Sequence, residues 1–265
     1  YFVGVPLMSY ELASHPDRDR YDLSQCKTFA AGGAPRPVEH VQKIKDAFQG
    51  GYPVLGYGLT ETNAVGAGNL NENYLAKPGS TGLPSKPLVD MAILDDDGRP
   101  VPTGETGEVS IRSAANFLGY WKNEQATREC FTADGYFRTG DLGYLDEDGY
   151  LFIVDRKKDI IIRGGENIAC IEVEDALYAH PDIAECSVFG IPDDRFGEVP
   201  AAVYLLHEGK TLAAEDLQEF LREHIAAFKV PARLWQAHEQ LPRLGTEKVD
   251  KRQVKAMYAE QTQSA

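Results

Sequence analysis

Residues 27–62 read KTFAAGGAPRPVEHVQKIKDAFQGGYPVLGYGLTET, and the order of patterns inside them decides the fold. Lys27 to Ala31 is a short strand-like run ending in Gly32-Gly33-Ala34-Pro35. A helical pattern follows from Arg36, with apolar Val38, Val41, Ile44, Ala47 and Phe48 at turn spacing, until Gly50-Gly51 stops it. A second apolar run, Tyr52 to Leu55, enters Gly56-Tyr57-Gly58-Leu59-Thr60-Glu61-Thr62. Strand, loop, helix, strand and loop predict an α/β unit. If its strands are parallel, both loops emerge at one carboxyl edge, where such sheets bind ligands.

Upstream, Tyr1 to Leu7 reads as interior strand material with no initiating methionine, so the expectation is that the start is a cut in a longer chain. Downstream, from Gly82, the texture changes to strands and tight turns: Leu88 to Leu94, Asp95-Asp96-Asp97-Gly98, Glu108 to Arg112, Asp134-Gly135, Leu142 to Leu145, and Tyr150 to Val154 across Asp146-Glu147-Asp148-Gly149. This predicts a small β-barrel or sandwich. The charge run Asp155-Arg156-Lys157-Lys158-Asp159 marks a boundary. Beyond it, Ile160 to Ile162, a helix from about Ile171 stopped by Pro181, strands at Ile183 to Phe189 and Val199 to Leu206, a helix with Leu217, Phe220, Leu221, Ile225 and Phe228, a strand near Leu234 and a last helix around Val254 and Met257 form an α+β domain.

The 265 residues suffice for two or three compact units, and 43% hydrophobic content is that of an ordinary soluble protein. A formal charge of −14 argues against nucleic acid or an anionic membrane as partner, because phosphates would be repelled. Any anionic ligand must be met locally. No apolar run approaches the roughly 20 residues of a membrane span. Cys26, Cys130, Cys170 and Cys186 lie far apart, with no CxxC pair and no histidines at metal spacing, so neither zinc nor a disulfide framework is indicated and a reducing cytoplasm is expected.

The Gly56–Glu61 loop suits a nucleotide. Its glycines let backbone approach a ligand, Tyr57 offers a ring face to a base, Thr60 a hydroxyl to a phosphate and Glu61 a hard oxygen to Mg²⁺. A surface loop with a helix cap explains the same residues equally well. In Tyr136-Phe137-Arg138-Thr139-Gly140-Asp141, the Asp141 carboxylate can accept from both hydroxyls of a ribose, and Arg156, fifteen residues later, can reach ribose or phosphate. The alternative there is a hairpin turn with a surface ion pair. Glu208-Gly209-Lys210-Thr211 imitates the end of a P-loop but has Tyr204 where its first glycine belongs. Hairpin turns account for the acidic runs at 95–98 and 146–149 without calcium, and the histidines show no hydrolase pattern.

Taken in order, GGAP at 32–35, GYGLTET at 56–62, GEVSIRS at 107–113, YFRTGDLGYLDEDGYLFIVDRKKDIIIRGGENI at 136–168, FKVP at 228–231 and LPRLGTEK at 241–248 resemble the adenylate-forming acyl- and aryl-CoA synthetases over nearly the whole chain. The resemblance implies a carboxyl-terminal half: residues 1–80 as the end of the α/β AMP-binding subdomain, 81–157 as a β-barrel subdomain and 158–265 as a mobile α+β carboxyl-terminal lid. It also implies two steps. A carboxylic acid attacks the α-phosphate of ATP to give acyl-AMP and pyrophosphate, and the thiol of CoA then displaces AMP. Gly32, Gly33, Ala34 and Pro35 would border adenine and the acyl pocket, with Gly56 and Gly58 in the nucleotide loop. Tyr57 would stack on adenine, Thr60 meet the α-phosphate, Glu61 hold Mg²⁺, Asp141 bind the ribose, and Arg156 the ribose or phosphate. Lys158 matches the lid hinge, and Gly164-Gly165-Glu166 the turn facing the pantetheine of CoA. Lys248 matches the catalytic lysine, worth about 3 kcal/mol, or a hundredfold in rate, as one positioned charge on the forming acyl-phosphate.

The chain departs from that pattern in three places. Glu247 replaces the glycine before the catalytic lysine, setting a negative charge beside Lys248. Ala169-Cys170 replaces the Tyr-Pro after GGENI, which makes one side of the CoA turn smaller. The Ser/Thr/Gly-rich triphosphate loop with its lysine is not found, since Gly79-Ser80-Thr81-Gly82 lacks the length and the lysine. The piece alone is therefore expected to be inactive. Delivery to a carrier protein and a non-catalytic adenylate-binding module remain alternatives, with the polar end Glu260 to Ala265 favouring free CoA. Gly66-Ala67-Gly68 suggests spare room beside the acyl pocket.

Overall fold

The protein, seen in a computed structural model, is described over residues 1–48, 50–245 and 248–259. Glu247 and the segment Glu260 to Ala265 lie outside the described residues. The chain divides into two units, Tyr1–Lys157 and Lys158–Ala265.

In the first unit, β1 (Phe2–Gly4) is followed by α1 (Pro6–Ser14), β2 (Thr28–Gly32), α2 (Val38–Ala47), β3 (Tyr52–Tyr57), β4 (Ala67–Asn69), α3 (Asn71–Ala76) and β5 (Leu83–Pro84). Strands β1, β2 and β3 are parallel and β4 and β5 antiparallel, in the order β1-β2-β3-β4-β5. The strand expected over residues 1–7 ends at Gly4. Pro6 opens α1 instead, because its fixed φ and missing N–H suit a first helical turn, and Tyr1 and Val3 are exposed rather than interior. Likewise α2 starts at Val38, not Arg36, since Pro37 holds Arg36 away from helical geometry. Its Val41 and Ile44 are buried with Phe48 just beyond, the stripe the spacing predicts.

The rest of this unit is β6 (Val89–Leu94), β7 (Gly107–Ser113), α4 (Glu124–Glu129), β8 (Phe137–Leu145) and β9 (Leu151–Arg156). The four strands form an antiparallel meander, β6-β7-β8-β9. The barrel expectation fails here, for no closed barrel occurs among the described residues. Four strands are too few to wrap around their own side chains. The outer side of β9 turns to the first sheet instead: Leu151 N–H donates to the Gly82 carbonyl at 2.8 Å, and Thr81 N–H to the Leu151 carbonyl at 2.8 Å. The apolar face of the meander, with Ile93, Val109 and Leu151, packs on Ala67 and Tyr57. The two sheets thus share one core.

Gly66 does not leave spare room. Gly68 pairs with Gly56 across β3 and β4, and a methyl group on Gly66 would sit 2.6 Å from the Tyr57 carbonyl oxygen. Backbone occupies that space. The acidic runs are hairpin turns, each closed by the glycine N–H donating back to the first aspartate's carbonyl (Gly98 to Asp95, 3.1 Å; Gly149 to Asp146, 2.9 Å).

The second unit contains β10 (Ile161–Arg163), β11 (Glu166–Ile168), α5 (Cys170–Tyr178), β12 (Ile183–Asp193), β13 (Gly197–Leu206), α6 (Ala214–His224), β14 (Arg233–Ala237) and α7 (Lys251–Ala259). Its sheet runs β11-β10-β13-β12, with β14 parallel to β13. Strands β12 and β13 are buried on both faces: Cys186, Val188, Ala202 and Tyr204 face the cluster with Val173 and Leu217, whereas Phe189, Ile191, Ala201 and Val203 face the cluster with Val254. Double coverage explains why both strands read as continuous apolar runs rather than alternating ones. The Glu208–Thr211 stretch is a turn in which Lys210 pairs with Asp182 at 2.7 Å. No helix among the described residues is long and apolar enough to cross a membrane, and the four cysteines form no disulfide.

Candidate nucleotide site

Parallel pairing of β2 with β3 sets Gly32 opposite Gly56, so the Gly32–Pro35 loop and the Gly56–Thr62 loop leave the same carboxyl edge. The second loop closes tightly. Leu59 N–H donates to Thr62 Oγ1 at 3.1 Å, and the Leu59 carbonyl accepts from Thr62 N–H at 3.0 Å and Ala64 N–H at 2.8 Å. Asn63 and Ala64 consequently take left-handed φ values of 50° and 59°. Gly58 is required for this closure, because a methyl group there would stand 2.4 Å from the Ala64 carbonyl carbon. The turn leaves Thr60 exposed and Glu61 at the edge of a cleft.

Tyr57 ends β3, and its hydroxyl donates to Asp141 Oδ2 at 2.7 Å across 84 residues of sequence. Asp141 lies on β8 directly opposite Arg156 on β9, and Arg156 Nε meets Asp141 Oδ1 at 2.6 Å. Only 6% of Asp141 is exposed. Burial pushes its carboxyl up, while Arg156 and Tyr57 pull it down. Burial and the Asp141 charge push the Tyr57 phenol far up, so it remains a donor. Each Asp141 oxygen keeps a further lone pair for a ligand hydroxyl.

Glu108 on β7, read from the sequence only as part of a strand and the GEVSIRS motif, braces this carboxylate. It is buried, accepts Gly140 N–H at 3.2 Å and pairs with Arg138 at 3.0 Å, which fixes the backbone just before Asp141. Thr139 adds a second brace, its hydroxyl donating to the Val109 carbonyl at 2.6 Å and accepting Asp141 N–H at 3.1 Å. Tyr120 is the other residue that sequence reasoning missed. Its hydroxyl donates to Glu61 Oε1 at 2.9 Å, and burial together with the Glu61 charge pushes it up to about 12. No periodicity links residues 59 positions apart; only the GEVSIRS motif hinted at Glu108.

A cleft of about 470 Å³ is lined by Glu61, Glu108, Tyr120, Thr139 and Arg156, among others. Among the described residues no three acids, histidines or cysteines converge on a metal position. Glu61 Oε2 has no partner among the described residues. One hard oxygen at a cleft edge fits a cation that arrives with phosphate oxygens as its other ligands.

Residues 1–121 match the family of AMP-binding enzymes, and residues 172–248 match the AMP-binding enzyme C-terminal domain. The chain belongs to the adenylate-forming AMP-binding superfamily. Feruloyl-CoA synthase of an Amycolatopsis species is 40% identical over 96% of this chain and 51% of its own. Amide bond synthetase McbA of Marinactinospora thermotolerans is 32% identical with a TM-score of 0.89, over 97% of this chain and 51% of its own. The o-succinylbenzoate CoA synthetase MenE of Bacillus subtilis, in complex with its acyl-adenylate intermediate, is 32% identical with a TM-score of 0.84, over 96% of this chain and 50% of its own. The chain therefore spans about half the length of the AMP-binding relatives it matches.

The other residues singled out in the sequence lie in the second unit. Lys158 is exposed in the turn that follows β9. Gly164 and Gly165, at φ 60° and 95°, form the two-residue turn between β10 and β11, with Gly164 N–H donating to the Phe196 carbonyl at 2.8 Å and Glu166 exposed opposite Arg163. Cys170 is buried at the start of α5, its thiol donating to the Asp159 carbonyl at 3.1 Å, so it belongs to the core. Lys248 is half-buried on a turn held through backbone, its carbonyl accepting Leu244 N–H at 2.8 Å.

Proposed function

We propose that this chain serves an ATP-dependent acid–CoA ligase. The observation that carries the reading is the Tyr57–Asp141–Arg156 cluster at the edge where both glycine loops emerge. A buried, doubly supported carboxylate beside an exposed arginine is built to receive ribose hydroxyls next to a phosphate. In the first step a carboxylate oxygen attacks the ATP α-phosphorus and pyrophosphate leaves. In the second the CoA sulfur, losing its proton, attacks the acyl carbonyl and AMP leaves.

Within that scheme Tyr57 lies against adenine, Asp141 holds the ribose, and Thr60 and Arg156 meet the phosphates. Glu61, together with the ligand's own phosphates, would hold Mg²⁺, which would supply charge neutralisation for the leaving pyrophosphate. Residues 158–265 act as the lid, turning at Lys158, and present Lys248 to the first step and the Gly164–Glu166 turn to the second. Residues 1–80 act as the end of the AMP-binding subdomain and 81–157 as the meander that carries Asp141. The solvent-facing cytoplasm is the natural compartment for such substrates.

Pyrophosphate exchange in the intact protein across short, long and aromatic acids, followed by CoA-dependent AMP release, tests the scheme. Absence of exchange with every acid would falsify it. A second reading comes from McbA, an amide bond synthetase. If acyl-AMP forms and an amine, but not CoA, discharges it, that reading replaces the thioester step.

A further inference from the structure

Glu61 carries one acidic group in a cleft that also holds Glu108 and Glu129, yet no cation pairs with it among the described residues. Its support comes instead from the segment that joins β7 to α4. Asn63 Nδ2 donates to the Ala115 carbonyl at 2.7 Å, and Phe117 N–H to the Glu61 carbonyl at 2.7 Å. Tyr120 Oη then donates to Glu61 Oε1 at 2.9 Å.

The same segment is anchored at its far end. Tyr120 N–H donates to Thr127 Oγ1 at 2.9 Å, and Thr127 Oγ1 donates to the Asn123 carbonyl at 2.9 Å. Phe117 meets Tyr120 edge-on at 4.9 Å and packs on Phe131 and Phe137 at 5.8 and 5.5 Å. Tyr120 is thus fixed through its backbone, its ring and its hydroxyl. A carboxylate is acceptor-only, so the hydroxyl proton points to Oε1 and leaves Oε2 as the oxygen open to a metal.

We infer that Tyr120 is a positioning residue: by holding Oε1 it fixes the rotation of the Glu61 carboxylate and presents Oε2 to a divalent cation shared with ATP. This rests on the ligase reading above. A free carboxylate would have to be ordered when the metal arrives, and Tyr120 removes that cost beforehand.

Tyr120→Phe keeps the ring contact and deletes only the hydroxyl. In the intact protein the half-saturating Mg²⁺ concentration for pyrophosphate exchange should rise about tenfold, the scale of one hydrogen bond to a charged group. Mn²⁺–ATP affinity, followed by electron paramagnetic resonance, should fall by the same factor. AMP affinity without metal should stay at the wild-type value. In a Glu61→Gln background the same substitution should have no further effect on metal dependence, because Tyr120 acts through that carboxylate. Unchanged metal dependence overturns the inference, as does equal loss of metal-free AMP binding, or an additive effect with Glu61→Gln. Wild-type protein without metal-dependent exchange would instead remove the ligase reading itself.

Discussion

Asp141 in the first unit and Lys248 in the second are held in opposite ways. Asp141 is buried, accepts Tyr57 Oη, pairs with Arg156 and follows a backbone turn braced by Glu108. Lys248 sits on a turn whose described contacts are backbone ones, with no side-chain partner among the described residues. One residue is part of the fold's own hydrogen-bonding; the other is placed by the fold and, in the proposed scheme, serves the chemistry alone. Changes around the first should therefore appear in stability and nucleotide binding, and changes at the second in rate alone.

The largest effect should come from Gly58→Ala, which forces a methyl group to 2.4 Å from the Ala64 carbonyl carbon. We expect about 3 kcal/mol of destabilisation by chemical unfolding, with AMP binding lost. Lys248→Ala comes next and sharpens the contrast: the rate of acyl-adenylate formation in single turnover should drop about a hundredfold, while the denaturation midpoint and AMP affinity hold. An accompanying loss of stability would break the comparison.

Asp141→Asn should weaken AMP binding by calorimetry about thirtyfold and lower stability by about 2 kcal/mol, because Arg156 and Tyr57 lose a charged acceptor. Stability unaffected by this substitution would mean that the cluster is no more structural than Lys248. The smallest effect belongs to Gly165→Ala. Its φ of 95° is unfavourable for alanine, yet nothing lies within 4 Å of the added methyl, so about 1 kcal/mol is expected. Pyrophosphate exchange should be spared and CoA-dependent AMP release slowed, since the proposed scheme assigns that turn to the second step alone.

Much of this was legible from residue order. The α2 stripe of Val41, Ile44 and Phe48, the turns at Gly98 and Gly149, and the alternation of strands and turns after Gly82 depend on neighbours within a few positions. Family membership was legible too, because six motifs in order constrain a chain far more than any one does. The barrel was misread for a physical reason: strand propensity marks each strand of the meander but not what lies across its free edge or against its apolar face, which Gly82 and Ala67 respectively supply.

The sequence by itself determined the local elements and which residue types the loops offer to a ligand. Only the tertiary structure decided that Tyr57 and Asp141, 84 residues apart, share a proton donor and acceptor, and that Tyr120 closes on Glu61 across 59. Spacing along a chain carries information over a helical turn or a strand pair. Contacts made by two sheets packing together are set by burial and backbone register, which no local pattern records.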